Sequence, residues 1–161
     1  MQVAKHVFDA SNIQVFHAYE QNIHPCDDCK LCHHKLACKH KDDMDAIKKA
    51  IQHADTLILV SPIYFGALSD QCMRIINRFQ MMFEAKFTHQ KPFTTLKNIY
   101  LISTAASTDT SMFQGAKLTL SILKSLFSAE HTNALTLGGT DDCKDILATY
   151  QDEIASFKRS I

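Results

Sequence analysis

The sequence lacks an excess of either charge, and it lacks any apolar run long enough to span a membrane. Lys and Arg total 17, and so do Asp and Glu, so no overall field attracts the chain to nucleic acid or to a membrane surface. A membrane-spanning helix needs roughly 20 apolar residues. The first residues also lack the basic and apolar stretches of a signal peptide. We therefore expect a cytoplasmic protein with neither nucleic-acid nor membrane partners.

Internal repeats and low-complexity linkers are also lacking. The chain has 161 residues, of which 46% are hydrophobic and 21% are charged. This length and composition are typical of one soluble globular domain with a sizeable core. We therefore predict a single domain over residues 1–161.

Apolar runs alternate with amphipathic segments along the chain. Thr56–Val60 is an uninterrupted apolar run, typical of a parallel strand covered on both faces, and we expect Pro62 to end its ladder. Further strands are predicted at residues 12–19, 99–103 and 132–137, and helices at residues 1–10, 42–53, 69–82, 113–127 and 143–157. Strands separated by helices of this length predict right-handed βαβ units. The fold class is therefore α/β, a three-layer sandwich with a mainly parallel sheet.

Three segments follow predicted strands at the carboxyl edge of the sheet, where open α/β sheets bind ligands: residues 61–69, 104–110 and 138–142. In the first, the adjacent rings of Tyr64 and Phe65 suit a flat ligand, and the backbone at Gly66 allows close approach to its polar edge. Capping of the core by the two rings explains them equally well. In the second, small and hydroxyl-bearing residues from Thr104 to Ser107 allow a ligand to lie against the backbone, although an ordinary polar loop has the same composition.

Cysteines are concentrated in one segment. In a cytoplasmic chain they indicate thiols or metal ligands rather than disulfides. Two residues separate Cys26 from Cys29 and Cys29 from Cys32, and Cys38 follows after five more. Thiolates with this spacing can converge on one metal or on a cuboidal iron–sulfur cluster. The flanking histidines allow zinc instead, and reduced thiols without metal are the third interpretation. Cys72 and Cys143 fall in predicted helices and suggest no catalytic role.

Taken together, these segments resemble the NADPH-dependent FMN reductases and iron–sulfur flavoproteins. The resemblance is carried by residues 23–26, 41–44, 54–55, 61–66, 68–69 and 76–78 and by Cys29, Cys32 and Cys38, and it extends over residues 1–145. It implies a flavodoxin-like fold, bound FMN, and hydride transfer from NAD(P)H through FMN to a small acceptor. It also implies residue roles. Ser61, Pro62, Ile63, Tyr64, Phe65 and Gly66 would contact one side of the flavin; Thr104, Ala105, Ala106 and Ser107 would line the other; Cys26, Cys29, Cys32 and Cys38 would hold a four-iron cluster.

One departure from the family concerns its first strand and phosphate-binding loop. The family begins with an apolar strand and a Gly-Ser-Pro-Arg-like loop that holds the FMN phosphate, whereas no glycine precedes Gly66 here. We expect this strand, central in the order 2-1-3-4-5, to be missing. Because exposed strand edges invite pairing with another chain, we expect a homodimer or larger assembly. The alternatives to a flavin enzyme are a redox-sensing module with a metal or iron–sulfur site, and a remnant without cofactor.

Overall fold

Four strands form one sheet in the order β2-β1-β3-β4. The structure is a computed structural model and describes residues 1–8 and 12–161. The strands are β1 (Thr56–Tyr64), β2 (Ala67–Leu68), β3 (Asn98–Ala105) and β4 (His131–Gly138). The pairs β1–β3 and β3–β4 are parallel, and only the short β2 is antiparallel. The predicted α/β class with a mainly parallel sheet is therefore confirmed.

Helices cover both faces of the sheet. They are α1 (Gln2–Val7), α2 (Leu31–His34), α3 (Met44–Gln52), α4 (Asp70–Asn77), α5 (Gln80–Phe83), a π-helical turn (Glu84–Thr88), a 3₁₀ turn (Thr110–Phe113), α6 (Gln114–Phe127), α7 (Ile146–Thr149) and α8 (Gln151–Arg159). Apolar side chains of α3, α4, α5 and α6 form a core on one face. Those of α1 and α8 form a second core on the other. Two cores on one sheet make the three predicted layers, while a single domain over residues 1–161 stays a prediction.

The strand β1 continues past Pro62 to Tyr64, so the prediction that the strand ends at this proline is wrong, although Pro62 forms the last pair of its ladder with β3. Pro62 pairs in register with Thr104 of β3. The physical reason lies in the direction of the backbone groups, which alternates along a strand. Tyr64 faces Ala67 across a two-residue turn, so its N–H and C=O point towards β2, and those of Pro62, two residues earlier, point the same way. The N–H that proline lacks is therefore not needed by β3.

The strand predicted at residues 12–19 is not present in the structure. Residues 13–17 have no regular secondary structure and residues 18–20 form a turn. The alternating pattern did not correspond to burial, because Val15 is exposed whereas Phe16 packs on the first core. Within residues 1–8 and 12–161, the edge of β1 that faces away from β3 is therefore paired with β2 alone.

Helix boundaries differ from prediction at three places. The first predicted helix is present as α1, and residues 9 and 10 of the prediction lie outside the described residues. The helix predicted at residues 69–82 is divided into α4 and α5. The helix predicted at residues 143–157 begins only at Ile146, so Cys143 precedes it. None of the helices within the described residues is both long and apolar enough to cross a membrane.

A buried ion pair joins the cysteine segment to the helices. Arg78, just after α4, donates through Nη1 to Asp42 Oδ2 at 2.6 Å and to the carbonyl oxygen of His24 at 2.7 Å. Asp42 in turn accepts from the backbone N–H groups of His24 and Met44, at 3.0 and 3.1 Å. Both ionic side chains are nearly inaccessible, with 2% and 9% of their area exposed. We call this network the Arg78–Asp42 clamp.

Burial raises the pKa of Asp42, but the hydrogen bonds from Arg78 and the two amides outweigh it, so the pKa lies below the ordinary 3.8. A lowered carboxyl pKa gives a stabilisation that is present above the unfolded pKa and is lost as pH falls through the folded-state pKa. We therefore expect Asp42→Asn to lower the free energy of unfolding by about 3 kcal/mol near pH 7, because the guanidinium of Arg78 stays buried without its counter-charge. The loss shrinks as pH falls below about 3.8.

Urea titrations of both proteins at pH 7 and at low pH measure this difference. Asp70→Asn is the matched control, since Asp70 pairs with Arg74 on the exposed side of α4. Removing that surface pair is expected to cost less than about 1 kcal/mol. Equal losses in the two variants at pH 7 would contradict the assignment.

Candidate functional site

An aromatic turn lies at the carboxyl end of β1. Phe65 and Gly66 connect β1 to β2, and both have positive φ angles, 51° and 78°. Two such residues make a type I′ turn, for which Asn-Gly is the preferred sequence. Phe65 is instead held in a left-handed conformation that bulky residues rarely adopt, with its side chain fully exposed. Beside it, 61% of Tyr64 is exposed. We call residues 64–66 the aromatic turn.

Two glycines determine how the aromatic turn sits on the protein. A Cβ on Gly115, in the first turn of α6, would overlap the carbonyl oxygen of Gly66, so only glycine allows the helix to contact the turn. A Cβ on Gly66 itself would meet no atom within 4 Å. The turn is therefore supported by α6 from one side and open on the other. The open side offers bare backbone on which a flat group can lie.

The loop after β3 is supported by the loop after β4. The carbonyl oxygen of Ala105 accepts from the N–H and the hydroxyl of Thr140, at 3.0 and 3.2 Å, and that of Ser107 accepts from the N–H of Gly139 at 3.1 Å. A Cβ on Gly138 would lie 2.7 Å from the Ser107 oxygen. Residues 138–140 thus support the second loop, and the exposed Ala106 contributes only a methyl group to its surface.

The residues predicted from the first loop divide between surface and interior. Pro62, Tyr64 and Phe65 are exposed, whereas Ser61 and Ile63 are buried. The hydroxyl oxygen of Ser61 accepts from the N–H of Ser69 at 2.9 Å, which anchors the start of α4 to the strand. The alternation of a strand, applied through Tyr64, is the signal that separates these two groups. Contact of any of them with a flavin stays a prediction.

The second loop divides in the same way. Thr104 and Ser107 are half-buried, Ala105 is buried and Ala106 is exposed. Register places Thr104 opposite Pro62, so the two predicted loops leave neighbouring strands at the same level. Gly115, which supports the aromatic turn, is a residue of the site that the sequence analysis did not identify. Its signal was a glycine at a helix start in a chain that has only four.

The four clustered cysteines surround one pocket. Cys26, Cys29, Cys32 and Cys38 line it together with Arg78 and Glu84. Asp28 and Lys30, which lie between the first three of these cysteines in sequence, adopt left-handed φ angles of 54° and 60°. In the described part of the chain, however, no three Cys, His, Asp or Glu side chains converge as ligands of a single metal ion.

Charged groups surround this pocket. Arg78 Nη2 lies 3.3 Å from the sulfur of Cys38. Burial, and next the charge of Glu84, raise the pKa of the Cys32 thiol. The hydrogen bond from Lys39 lowers the pKa of Asp27 to about 2, against a smaller opposing effect of burial. The pocket therefore has one buried cation at Cys38 and a carboxylate on the side of Cys32.

The two remaining cysteines lie elsewhere. Cys72 lies in α4, as predicted. It is buried, and burial raises the pKa of its thiol to about 11, so it stays protonated near neutral pH. Cys143 is half-buried, and its sulfur lies 3.3 Å from Thr149 Oγ1.

Known proteins resemble the chain in both sequence and fold. An iron–sulfur flavoprotein from Methanocaldococcus jannaschii is 37% identical over 59 residues, which cover 37% of this chain and 31% of that protein. One from Archaeoglobus fulgidus is 32% identical over 66 residues, covering 41% and 30%. The matches thus span about a third of the relatives' own lengths.

Solved structures match nearly the whole chain. An azoreductase from Bacillus anthracis has a TM-score of 0.65 at 11% identity, covering 99% of this chain and 83% of its own. An NADH:FMN oxidoreductase in its apo form has a TM-score of 0.56 at 15% identity, covering 99% and 79%. At such identities the likeness establishes the flavodoxin-like fold. The model of the NADPH-dependent FMN reductases matches residues 1–136, and the chain therefore belongs to that family.

Proposed function

We propose that the chain is a flavin-dependent oxidoreductase that binds FMN at the carboxyl edge of the sheet and uses NAD(P)H to reduce a small acceptor. The observation that carries the proposal is the open backbone at Gly66, between an exposed aromatic pair and the small residues of the neighbouring loop. Exposed aromatic rings beside open backbone suit a flat ring, and the chain belongs to the FMN reductase family. The cytoplasmic location of the protein and its lack of nucleic-acid and membrane partners stay predictions.

Bound FMN would supply the two-electron chemistry, and the residues of the chain supply orientation and exclusion of water. Tyr64 offers an aromatic face for stacking, and Ala106 permits close approach because its side chain is only a methyl group. Gly115 holds the aromatic turn in position through its contact with Gly66. We assign no side chain as acid or base, since hydride transfer requires none.

The described residues offer fewer contacts to the phosphate group of FMN than to its ring. No glycine occurs before Gly66 in this sequence, so the described residues ahead of β1 offer no glycine-rich phosphate loop. Charge-assisted hydrogen bonds to a phosphate contribute about 1.5–3 kcal/mol each. We therefore propose that the described residues contribute to FMN binding mainly through contacts to the ring.

The direct test is steady-state oxidation of NADH and NADPH by the protein reconstituted with excess FMN. We expect a rate clearly above that of free FMN at the same concentration, with a small quinone as acceptor. The rate should increase in proportion to protein concentration. A rate no higher than that of free FMN would reject the proposed activity.

Gly115→Ala tests the position of the site. A helical Gly→Ala change ordinarily stabilises a helix by about 0.5–1 kcal/mol, but here the new Cβ displaces the aromatic turn. We expect the Kd for FMN, measured by quenching of flavin fluorescence, to rise about tenfold, equivalent to about 1.4 kcal/mol, while the circular dichroism spectrum is unchanged. Gln114→Ala, an exposed change in the same turn of α6, is the control. Equal Kd values for the two variants would place the FMN site elsewhere.

We propose as a second role that the pocket lined by Cys26, Cys29, Cys32 and Cys38 holds an iron–sulfur cluster and acts in electron transfer or redox sensing. What supports this is the presence of all four thiols on one pocket, next to the guanidinium of Arg78. A cluster uses four separated thiolates rather than ligands that meet at one ion. When bound, it would supply one-electron chemistry, and Arg78 would hold Cys38 in place.

Iron and sulfide analysis of protein purified without oxygen tests this role. We expect about four iron and four sulfide ions per chain, as in a four-iron cluster, and their loss in Cys29→Ser. Cys143→Ser, which alters a thiol outside the pocket, should keep both. Zinc without sulfide, or neither metal nor sulfide, would reject the cluster.

A further inference from the structure

Arg78 brings a buried positive charge to the cysteine pocket. Of the charged residues that the structure describes, only Arg78 is buried as a whole residue. Its Nη2 donates to the sulfur of Cys38 at 3.3 Å, and its Nη1 donates to Asp42 Oδ2 and to the carbonyl oxygen of His24. Because both nitrogens are engaged, the guanidinium is held in one orientation against the sulfur.

The other charged groups at the pocket are placed differently. Lys30 and Lys39 form ion pairs on the surface, where water and salt screen their charges. Glu84 lies towards Cys32, the pKa of whose thiol is raised by burial and next by this carboxylate. A charge in the protein interior is screened much less than one on the surface. The positive charge that acts most strongly on the pocket is therefore that of Arg78.

We propose that Arg78 sets the reduction potential of the iron–sulfur cluster in this pocket, an inference that rests on the second role proposed above. Reduction adds one electron to the cluster and neither makes nor breaks a bond, and the donor of that electron is the reduced flavin of the proposed reaction. Added negative charge is favoured by a nearby cation and by an N–H that donates to a ligand sulfur. Arg78 supplies both at Cys38, and it thereby raises the potential.

Asp42 has the opposite effect on the same potential. Its carboxylate accepts from both nitrogens of Arg78, at 2.6 and 3.3 Å, so it offsets part of the positive charge that reaches the pocket. Removing this carboxylate should raise the potential, whereas breaking the contact of Arg78 with Cys38 should lower it. A general loosening of the cysteine segment would instead move the potential in the same direction in both variants.

The test is a potentiometric titration of protein purified without oxygen, followed by the electron paramagnetic resonance signal of the reduced cluster. In Arg78→Lys, the single ammonium nitrogen keeps a positive charge at Asp42 but lacks the second nitrogen that reaches Cys38. We expect the equilibrium constant for reduction to fall about tenfold, a shift of about 59 mV for one electron. In Asp42→Asn we expect the potential to shift in the opposite direction.

Lys30→Gln is the matched control, because it removes an exposed positive charge from the same pocket and should leave the potential unchanged. A potential in Arg78→Lys equal to that of the natural chain or of Lys30→Gln would overturn the proposal while leaving the cluster in place. If Arg78→Lys loses its iron and sulfide, Asp42→Asn decides, and a potential that does not rise overturns the proposal.

Two results at the level of iron and sulfide content complete the test. Loss of the cluster from both Arg78→Lys and Asp42→Asn would mean that the clamp holds the segment together rather than sets a potential, and it would reject this inference alone. A natural chain that binds neither iron nor sulfide would reject the electron-transfer role itself, and the inference with it.

Discussion

The parallel register of β1, β3 and β4 is the constraint on which the rest of the structure depends. Because parallel strands end at one edge, the pairs Pro62–Thr104 and Ala105–Gly138 bring three chain-distant loops to the same level. β3 makes this register possible: its side chains from Ile99 to Ser103 are almost completely buried, since it has a strand on each side and a core on each face. The candidate flavin surface is a consequence of this ladder.

Backbone strain and close contacts between loops are concentrated at the carboxyl ends of the parallel strands. Phe65 occupies a left-handed position that favours asparagine or glycine, and nothing in its packing compensates, because its ring is fully exposed. Gly115 and Gly138 lie where a Cβ would meet a neighbouring loop. Residues that break local preferences without a structural gain are typical of functional sites. The aromatic turn and its supports fit that description.

The cysteine segment is organised by a different interaction. It contains only one helical turn, and the Arg78–Asp42 clamp connects it to α3 and α4. Through Nη1 and Nη2, the guanidinium of Arg78 donates to the carboxylate of Asp42, the carbonyl oxygen of His24 and the sulfur of Cys38 together. The resemblance included Arg78 without indicating this role. A sequence pattern does not show which buried cation meets which carboxylate across 36 residues.

The sequence by itself determined the three parallel strands, the alternating helices and the segments that follow the strands. These depend on the period of apolar residues and on turn residues, which are local properties. Only the tertiary structure decided that residues 12–19 are not a strand and that Pro62 lies within one. Each of these outcomes depends on which neighbour a backbone group meets. A strand needs a partner, and a proline is tolerated only where none is required.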